Sequence, residues 1–315
     1  MDEYTRKTKV WLETRRFNSY DDRGIYNPHQ PIYGFKNHRG KPDIVGMYLI
    51  TYQIMKVLPL LKFKTFVDVG GAEGFTAHIV RQLFRVEVRS SDLSSEACKR
   101  AEEIFGIKSV PADIHKLPFK DGEFDVALCS ETLEHASKPQ KAVNEILRIT
   151  EKAVVITVPH ESKEVTERNL KEKISHAHIH SFNLTSFDYL KAKGYRLLKR
   201  KMMTPLLRIP RVLVEAVPIK LPAKKSGQKL AHPRFLLEIY NALIPLLRRF
   251  SGRRTIAFLI RLDDFICRFT SAYGGMLVVI IKDKECLKKD KIKSIAPSQI
   301  INFAVPYGKK YDRKS

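Results

Sequence analysis

The sequence has no long apolar run and few cysteines. No apolar segment among its 315 residues reaches the roughly 18 to 20 residues that a membrane-spanning helix needs. The opening MDEYTRKTKVWLETRR also lacks the apolar core of a secretory signal. The four cysteines are scattered without a CxxC pair, which gives neither a disulfide framework nor a zinc site. We therefore expect a cytosolic globular protein with reduced thiols.

Acidic residues are scarce in the last third of the chain. The net charge is +23, and residues 200–315 contain 25 Lys and Arg against 8 Asp and Glu. The first 199 residues are much closer to balance, with 32 against 26. A positively charged region attracts phosphate groups, whether these belong to nucleic acid, to anionic lipid head groups or to a phosphorylated substrate.

Short apolar runs alternate with amphipathic segments through the middle of the chain, which is typical of a parallel sheet covered by helices. The pattern predicts strands at 65–69, 86–91, 107–111, 124–129, 153–158 and 195–201, and helices at 43–58, 74–84, 94–105, 138–149 and 184–193. A further apolar run, GGMLVVIIKDK at 274–284, predicts a seventh strand. The expected fold is α/β, a doubly wound Rossmann-like sheet of seven strands with a helical insertion between strands six and seven.

Composition divides the chain into four parts. We expect a polar N-terminal extension at 1–42, an α/β domain formed by 43–202 plus 274–284, a helical insertion at 203–273, and a basic, partly disordered C-terminal tail at 285–315. The insertion groups its apolar residues between arginines. This pattern fits an ordinary helical cap over a substrate, and it also fits helices that rest on an anionic membrane surface.

The segment FVDVGGAEGF, residues 66–75, lacks two glycines of a dinucleotide-binding turn. Counting from Gly70, the pattern G-x-G-x-x-G requires glycine where Ala72 and Phe75 stand. Asp68 and Glu73 flank the turn, and carboxylates beside a pyrophosphate would repel it. A ligand without phosphates and with a positive centre fits better, and S-adenosylmethionine is such a ligand.

Four motifs in order make the sequence similar to the class I S-adenosylmethionine-dependent methyltransferases of the type-11 kind. VDVGGAEG resembles the first motif, and SSDLSSEACKRAEE resembles the end of the second strand. PADIHKLPFKDGEFDVALCSETLEH resembles the third and fourth motifs, and HIHSFNLTSFDYLKAKGYRLLK resembles the final His-x-Phe-Thr segment. The resemblance covers roughly residues 62–201 and 276–282. Ala72, in place of a usual glycine, and Asn183, before the threonine position, depart from the pattern.

The resemblance implies a methyltransferase with S-adenosyl-L-methionine as cofactor. It assigns Asp92 to the ribose hydroxyls, Asp113 to the adenine amino group and Ile114 to the adenine ring, while Asp68 orders the turn beside the positive end of the cofactor. A helix N-terminal charge at Asp92 and a capped turn at Asp113 are the structural alternatives. The full set of expected cofactor residues is Asp68, Gly70, Gly71, Gly74, Asp92, Leu93, Asp113, Ile114 and Cys129. The alanine at 72 should alter affinity without abolishing binding.

Methyl transfer from a sulfonium is an in-line displacement, so the protein contributes mostly alignment and dehydration. A base helps when the acceptor is a hydroxyl or a protonated amine. The candidate bases are Glu131, His135, His160 and His180, with Glu134 beside the first two; a role in fixing the loop is equally compatible with His135 and Glu134.

Three histidines, at positions 176, 178 and 180, form the run HAHIH. In an extended chain the three imidazoles would share one face, and three histidines can bind zinc. Histidines beside an aromatic segment of this kind are nevertheless common, and we predict no metal site.

The acceptor is constrained mainly by absences. The chain has neither the N-P-P-Y segment of amino-directed nucleic-acid methyltransferases nor a Pro-Cys pair that attacks pyrimidines. The leading hypothesis is a cytoplasmic enzyme that methylates a small-molecule, sugar-linked or lipid-linked acceptor, with its basic final third docked at the inner membrane face or on a phosphate. The alternatives are an RNA methyltransferase that grips the backbone with the basic third, and a non-catalytic cofactor-binding scaffold.

Overall fold

A computed structural model describes residues 1–14, 44–218, 234–288 and 294–303. Within these ranges the strands are β1 (Thr65–Val69), β2 (Glu87–Asp92), β3 (Lys108–Pro111), β4 (Phe124–Ser130), β5 (Thr150–Pro159), β6 (Arg196–Met202) and β7 (Gly275–Ile281). They form one sheet in the order β3-β2-β1-β4-β5-β7-β6. The first five strands are mutually parallel, and β7 is antiparallel to both of its neighbours. The expected α/β fold with a seven-stranded sheet is confirmed.

Helices precede, separate and follow these strands along the chain. They are α1 (Glu3–Thr14), α2 (Ile44–Val57), α3 (Phe75–Phe84), α4 (Ser95–Phe105), α5 (Pro139–Ile149), α6 (Lys163–Lys171), α7 (Arg208–Glu215), α8 (Arg234–Phe250), α9 (Arg253–Phe269) and α10 (Pro297–Ile301). None of the helices in the described ranges is long and apolar enough to cross a bilayer.

The two faces of the sheet carry separate hydrophobic clusters. One face packs Phe66, Val126 and Leu277 against α2, α3 and α9. The other packs Val67, Ala127 and residues of β7 against α5 and the aromatic segment around Phe182 and Phe187. Burial of both faces explains why the central strands are almost continuously apolar rather than alternating.

Two segments differ from the sequence predictions. Residues 184–193 were expected to form an α-helix, but only Asp188–Lys193 are helical, in a 3-10 geometry. The cause is local: Asn183 Oδ1 accepts the Thr185 backbone N–H at 2.9 Å, and such a turn competes with helical hydrogen bonds. In the expected polar extension, residues 3–14 form α1, with Thr5, Thr8 and Leu12 buried; the rest of that extension lies outside the described residues.

The stretch between β6 and β7 contains α7, α8 and α9, and α9 is joined to the body of the domain by two buried aspartates. Asp263 accepts the backbone N–H groups of Met203 and Thr204 at 2.9 and 2.8 Å. Asp264 accepts Gln53 Nε2 of α2 at 2.9 Å. The interpretation of 203–273 as a separate functional unit stays a prediction. In the expected C-terminal tail, α10 buries Ile300 and Ile301, and residues 304–315 lie outside the described part.

His78 on α3 makes stability depend on pH. Its ring stacks on the Phe105 ring, with the two centroids 4.8 Å apart. Burial of the imidazole is the main cause that lowers its pKa from 6.5 to about 4, and the positive charge of Arg81 contributes to the same shift. Between those two values the unfolded chain binds more protons than the folded chain, so stability falls as the pH drops from about 6.5 to 4. Chemical denaturation of His78→Leu across this window should show a shallower fall than wild type; identical slopes would contradict this.

Candidate active site

A cavity of about 330 Å³ opens where parallel strands β1, β2, β3 and β4 end. The turns after β1 and β4 supply Gly70 and Glu131, β2 ends in Asp92, and Asp113 follows β3. This position, at the carboxyl ends of strands whose order reverses, is where open α/β sheets bind ligands. The volume lies in the range of roughly 300 to 1,000 Å³ typical of small-molecule sites.

The turn after β1 is shaped by contacts that exclude side chains. Gly70 has φ +75°, and an added Cβ would lie 2.3 Å from Thr132 Oγ1. Ala72 has φ +44°, in the left-handed region that favours glycine, and its N–H is held by Asp92 Oδ2 at 2.9 Å. The alanine is therefore strained but retained by the same carboxylate that faces the cavity.

Gly74 starts α3 with φ +79°, and a Cβ there would lie 2.9 Å from Ala101 Cβ of α4. We expect Gly74→Ala to cost about 2 kcal/mol of unfolding free energy, from the left-handed backbone and the overlap with α4. Gly106→Ala is the matched control, because φ is +61° there and no atom lies within 4 Å of the added Cβ. It should cost about 1 kcal/mol. Equal losses in urea denaturation would show that the α4 contact contributes nothing.

Asp92 is the best-defined polar group of the cavity. Its side chain is buried, with Oδ2 accepting Ala72 N–H and Oδ1 accepting Ser94 N–H, both at 2.9 Å. Burial raises its pKa, and these backbone bonds oppose the rise. A carboxylate has about four acceptor sites, so both oxygens keep capacity for a pair of ligand hydroxyls.

Asp113 follows β3, next to the end of β2 that carries Asp92, and it is oriented by His115. Its Oδ1 accepts the His115 backbone N–H at 2.9 Å and lies 2.6 Å from His115 Nδ1. The His115 side chain is the main cause that lowers the pKa of Asp113, so the carboxylate stays charged. Leu93 and Ile114 complete this end of the cavity with apolar surface.

The cavity suits a cationic ligand. Within the described residues its wall carries Asp92, Asp113, Glu131 and Glu134 but neither Lys nor Arg. Just beneath it, burial and the charge of Asp92 raise the pKa of Asp68 to about 7. A sulfonium or ammonium group would lower the energy of these carboxylates, whereas a phosphate would raise it. The two carboxylate oxygens of Asp92 can accept hydrogen bonds from the adjacent hydroxyls of a ribose, and the apolar wall at Ile114 can contact an adenine ring. Both features fit an adenosine.

Comparison with known proteins agrees with this geometry. A family model described as a methyltransferase domain matches residues 67–158, from β1 to β5. The chain carries a class I S-adenosylmethionine-dependent methyltransferase domain. Its cofactor is S-adenosyl-L-methionine, and the cavity described above suits that ligand.

Relatives of this methyltransferase domain match part of the chain. Norajmaline N-methyltransferase of Rauvolfia serpentina is 27% identical over 124 residues, which is 36% of this chain and 42% of the relative. Chloroplastic tocopherol O-methyltransferase of Arabidopsis thaliana is 28% identical over 130 residues, 36% of this chain and 37% of the relative. A crystal structure of an S-adenosylmethionine-dependent methyltransferase from Thermotoga maritima covers 76% of this chain and 93% of its own, with 16% identity and a TM-score of 0.46. The chain thus spans about two fifths of the length of these two curated relatives.

The nine expected cofactor residues divide into those that line the cavity and those outside its wall. Gly70, Asp92, Leu93, Asp113 and Ile114 line the cavity. Asp68, Gly71, Gly74 and Cys129 are not among its lining residues: Asp68 and Gly71 line a smaller neighbouring pocket, Gly74 packs on α4, and Cys129 is buried within β4. The latter four support the shape of the turn and sheet, and contact with the cofactor remains a prediction for all nine residues.

The candidate bases divide in the same way. Glu131 and His135 line the cavity, while His160 and His180 do not. His160 Nδ1 pairs with the Phe182 carbonyl at 2.6 Å, and His180 Nε2 pairs with the Ala136 carbonyl at 2.7 Å. Both histidines therefore connect loops of the domain.

Glu131 and His135 are held in a buried, acidic part of the wall. Glu131 has φ +50°, an uncommon conformation for glutamate, and burial raises its pKa to about 7. Burial is the main cause that lowers the pKa of His135 well below 6.5, and the neighbouring His176 and His178 contribute to the same shift. The His135 ring is therefore neutral near pH 7. The pKa of Glu131 suits proton acceptance near neutrality, whereas the lowered pKa of His135 makes its neutral ring a weak base.

Several wall residues were missed by sequence analysis. They are Thr5, Thr8 and Leu12 of α1, Met47 and Ile50 of α2, and His115 and Thr132 from the strand ends. The residues of α1 could not be predicted, because the sequence of that helix is mostly polar. His115 and Thr132 lie within the quoted motifs, so the sequence indicated the region of the site but did not single out these two side chains.

Proposed function

We propose that this chain transfers a methyl group from S-adenosylmethionine to a small-molecule acceptor. The observation that supports the proposal is one cavity whose wall contains both Asp92 with Asp113 and Glu131 with His135. The first pair suits the adenosine of the cofactor, and the second faces the space left for an acceptor. Glu131 is the candidate base for an acceptor hydroxyl or ammonium.

Transfer of label tests this function. Purified protein is incubated with methyl-labelled S-adenosylmethionine and a lysate, and the small-molecule, lipid, glycan, RNA and protein fractions are then separated. Label in the small-molecule, lipid or glycan fraction that disappears with Asp92→Ala would support the proposal. Label confined to RNA would favour an RNA methyltransferase, and cofactor binding without any labelled fraction would favour a scaffold.

We further propose that the acceptor is reached at an anionic membrane surface. The α8 side chains Phe235, Ile239, Leu243, Leu246 and Phe250 are all exposed and recur at helical spacing along one stripe. Phe258, Phe265 and Phe269 form a similar exposed stripe on α9. Apolar stripes on helices with arginines, in a strongly basic third of the chain, suit the interface of an anionic bilayer.

Liposome flotation tests the membrane proposal. Replacing Ile239, Leu243 and Leu246 together by serine should reduce binding to phosphatidylserine-containing vesicles by about 10-fold or more, because three partly exposed aliphatic side chains no longer enter the bilayer. Leu170→Ser is the matched control, since Leu170 is 57% exposed on α6 outside α7–α9. Equal flotation of the triple variant and wild type would contradict docking through α8.

A further inference from the structure

Glu134 is a carboxylate buried in the cavity wall without a hydrogen-bond partner. Its residue is 0% exposed, and neither side-chain oxygen has a hydrogen-bond partner in the described part of the chain. The ring nitrogen His135 Nε2 lies 3.8 Å from Glu134 Oε1, beyond hydrogen-bonding distance. A buried carboxylate of this kind is costly unless a proton or a cation compensates it.

Two imidazoles converge on this carboxylate. One donor atom each of Glu134, His135 and His178 lies within 4.8 Å of the other two. His135 Nδ1 pairs with the Ala177 carbonyl at 3.0 Å, and His178 Nδ1 pairs with Glu161 Oε1 at 3.1 Å. Both rings therefore use Nδ1 for a carbonyl or carboxylate partner, the arrangement that orients metal-binding histidines and leaves Nε2 for the ion.

The backbone holds these distant segments together. Ile179 N–H donates to the Glu134 carbonyl at 2.9 Å, which places the segment containing His178 beside residues 134 and 135. The His176 ring stacks on the His135 ring with centroids 4.1 Å apart. The three donors thus come from two fixed segments and not from freely moving surface side chains.

We propose that Glu134, His135 and His178 bind one divalent transition-metal ion. One carboxylate and two imidazoles are a donor set that suits zinc, manganese, iron or cobalt better than magnesium or calcium. Ligand atoms about 2.0 to 2.2 Å from an ion stand roughly 3 to 3.5 Å apart in a tetrahedral shell. Small side-chain rotations would therefore bring the three donors onto one ion. This set differs from the run of three histidines in the sequence: His176 has φ +54° and His180 bonds Ala136, so those rings do not share one face.

The ion would lie at the acceptor end of the cavity, since all three donors belong to its wall. Three protein ligands leave coordination positions open, and these would face the acceptor. An acceptor with an oxygen atom is then favoured, because that oxygen could occupy an open coordination position. This role of the ion rests on the proposed methyl transfer. In this assignment His135 holds the ion and Glu131 remains the candidate base.

Metal titration of the full-length protein tests the site. Protein stripped with EDTA is titrated by calorimetry with ZnCl₂, MnCl₂ and CoCl₂ in separate runs, and bound metal is measured after gel filtration. We expect one ion per chain for at least one of the three metals, together with a higher melting temperature. Glu134→Gln and His178→Gln should each weaken affinity by more than about 100-fold, and Glu161→Gln by about 10-fold, as typical of an outer-shell partner.

The controls separate binding from folding. Glu134→Gln keeps the side-chain shape and removes a buried charge, so its metal-free melting temperature should not fall below that of wild type. His180→Gln lies in the same histidine run outside the cluster and should still bind one ion. The proposal is overturned if wild type binds none of the three metals, or if Glu134→Gln and His178→Gln bind them as tightly as wild type.

Cofactor binding distinguishes this proposal from the proposed function. Stripped wild-type protein should still bind S-adenosylmethionine but should lose transfer of label to its acceptor, and added metal should restore it. Transfer that is unaffected by stripping would overturn the acceptor role of the ion. Failure to bind S-adenosylmethionine with normal metal binding would instead count against the proposed function.

Discussion

Asp92→Ala should weaken binding of S-adenosylmethionine by about 100-fold or more. Hydrogen bonds to a charged group contribute about 1.5 to 3 kcal/mol each, so losing two from the ribose hydroxyls removes about 3 kcal/mol or more. The same substitution removes the acceptors of the Ala72 and Ser94 backbone N–H groups. Calorimetric titration should therefore be done well below the melting temperature of the variant, with that temperature measured in parallel.

Two further variants make the Asp92 result specific. Asp92→Asn keeps the shape and one acceptor oxygen, so its affinity should lie between those of wild type and Asp92→Ala. Asp121→Asn removes a carboxylate whose side chain is 82% exposed and outside the cavity wall, and it should bind like wild type. If Asp92→Ala is destabilised but binds the cofactor normally, Asp92 serves only the helix start at Ser94.

The cofactor end of the site was predictable because its determinants are local. Glycines in the left-handed conformation, an acid at the end of β2 and an acid after β3 each lie within one strand-turn unit. Parallel strands then bring those ends to one edge of the sheet. The resemblance to the methyltransferase motifs therefore assigned Gly70, Asp92 and Asp113 to one cofactor, and the structure brings the three residues to one cavity.

The acceptor end was less predictable because it depends on long-range contacts. Helix α1 closes the cavity through Thr5, Thr8 and Leu12, and two of those three buried residues count as polar in a hydrophobic pattern. Glu134 and His178 are brought together by long-range contacts such as the backbone bond from Ile179 to Glu134 and the bond between His135 and the Ala177 carbonyl. Neither contact has a periodicity or spacing that a single sequence reveals.

The stretch between β6 and β7 has one feature that the sequence predicts and one that it does not. Its exposed apolar stripes follow from the helical spacing of apolar residues in the sequence. The attachment of this stretch to the rest of the domain depends on side chains that sequence analysis did not single out. Asp263 and Asp264 occur together in the amphipathic helix α9, and their partners lie on the turn after β6 and on α2. Such buried carboxylates join α9 to the rest of the domain, whatever surface α8 presents.

Asp263→Ala should lower the unfolding free energy by about 3 kcal/mol. Asp263 is 0% exposed and its two oxygens accept the N–H groups of Met203 and Thr204, which would each be left buried without a partner at about 1 to 3 kcal/mol. Burial raises the pKa of Asp263, which reduces the benefit of its charge but not of its acceptors. Asp263→Asn, which retains one acceptor, should lose less.

Urea unfolding also tests whether residues 203–273 form a separate unit. Because α9 packs on α2 and β6, we expect Asp263→Ala to shift a single transition reported equally by circular dichroism and by cofactor-protected proteolysis.

Phe258→Ala is the control on the same helix, since that side chain is 62% exposed and should change stability by less than about 0.5 kcal/mol. A variant that loses only part of its helical signal, while S-adenosylmethionine still binds at wild-type affinity, would mean that α7–α9 unfold independently of the methyltransferase domain. In that case the buried aspartates would fix a removable cap, and the exposed apolar stripe of α8 could be deleted without loss of the cofactor site.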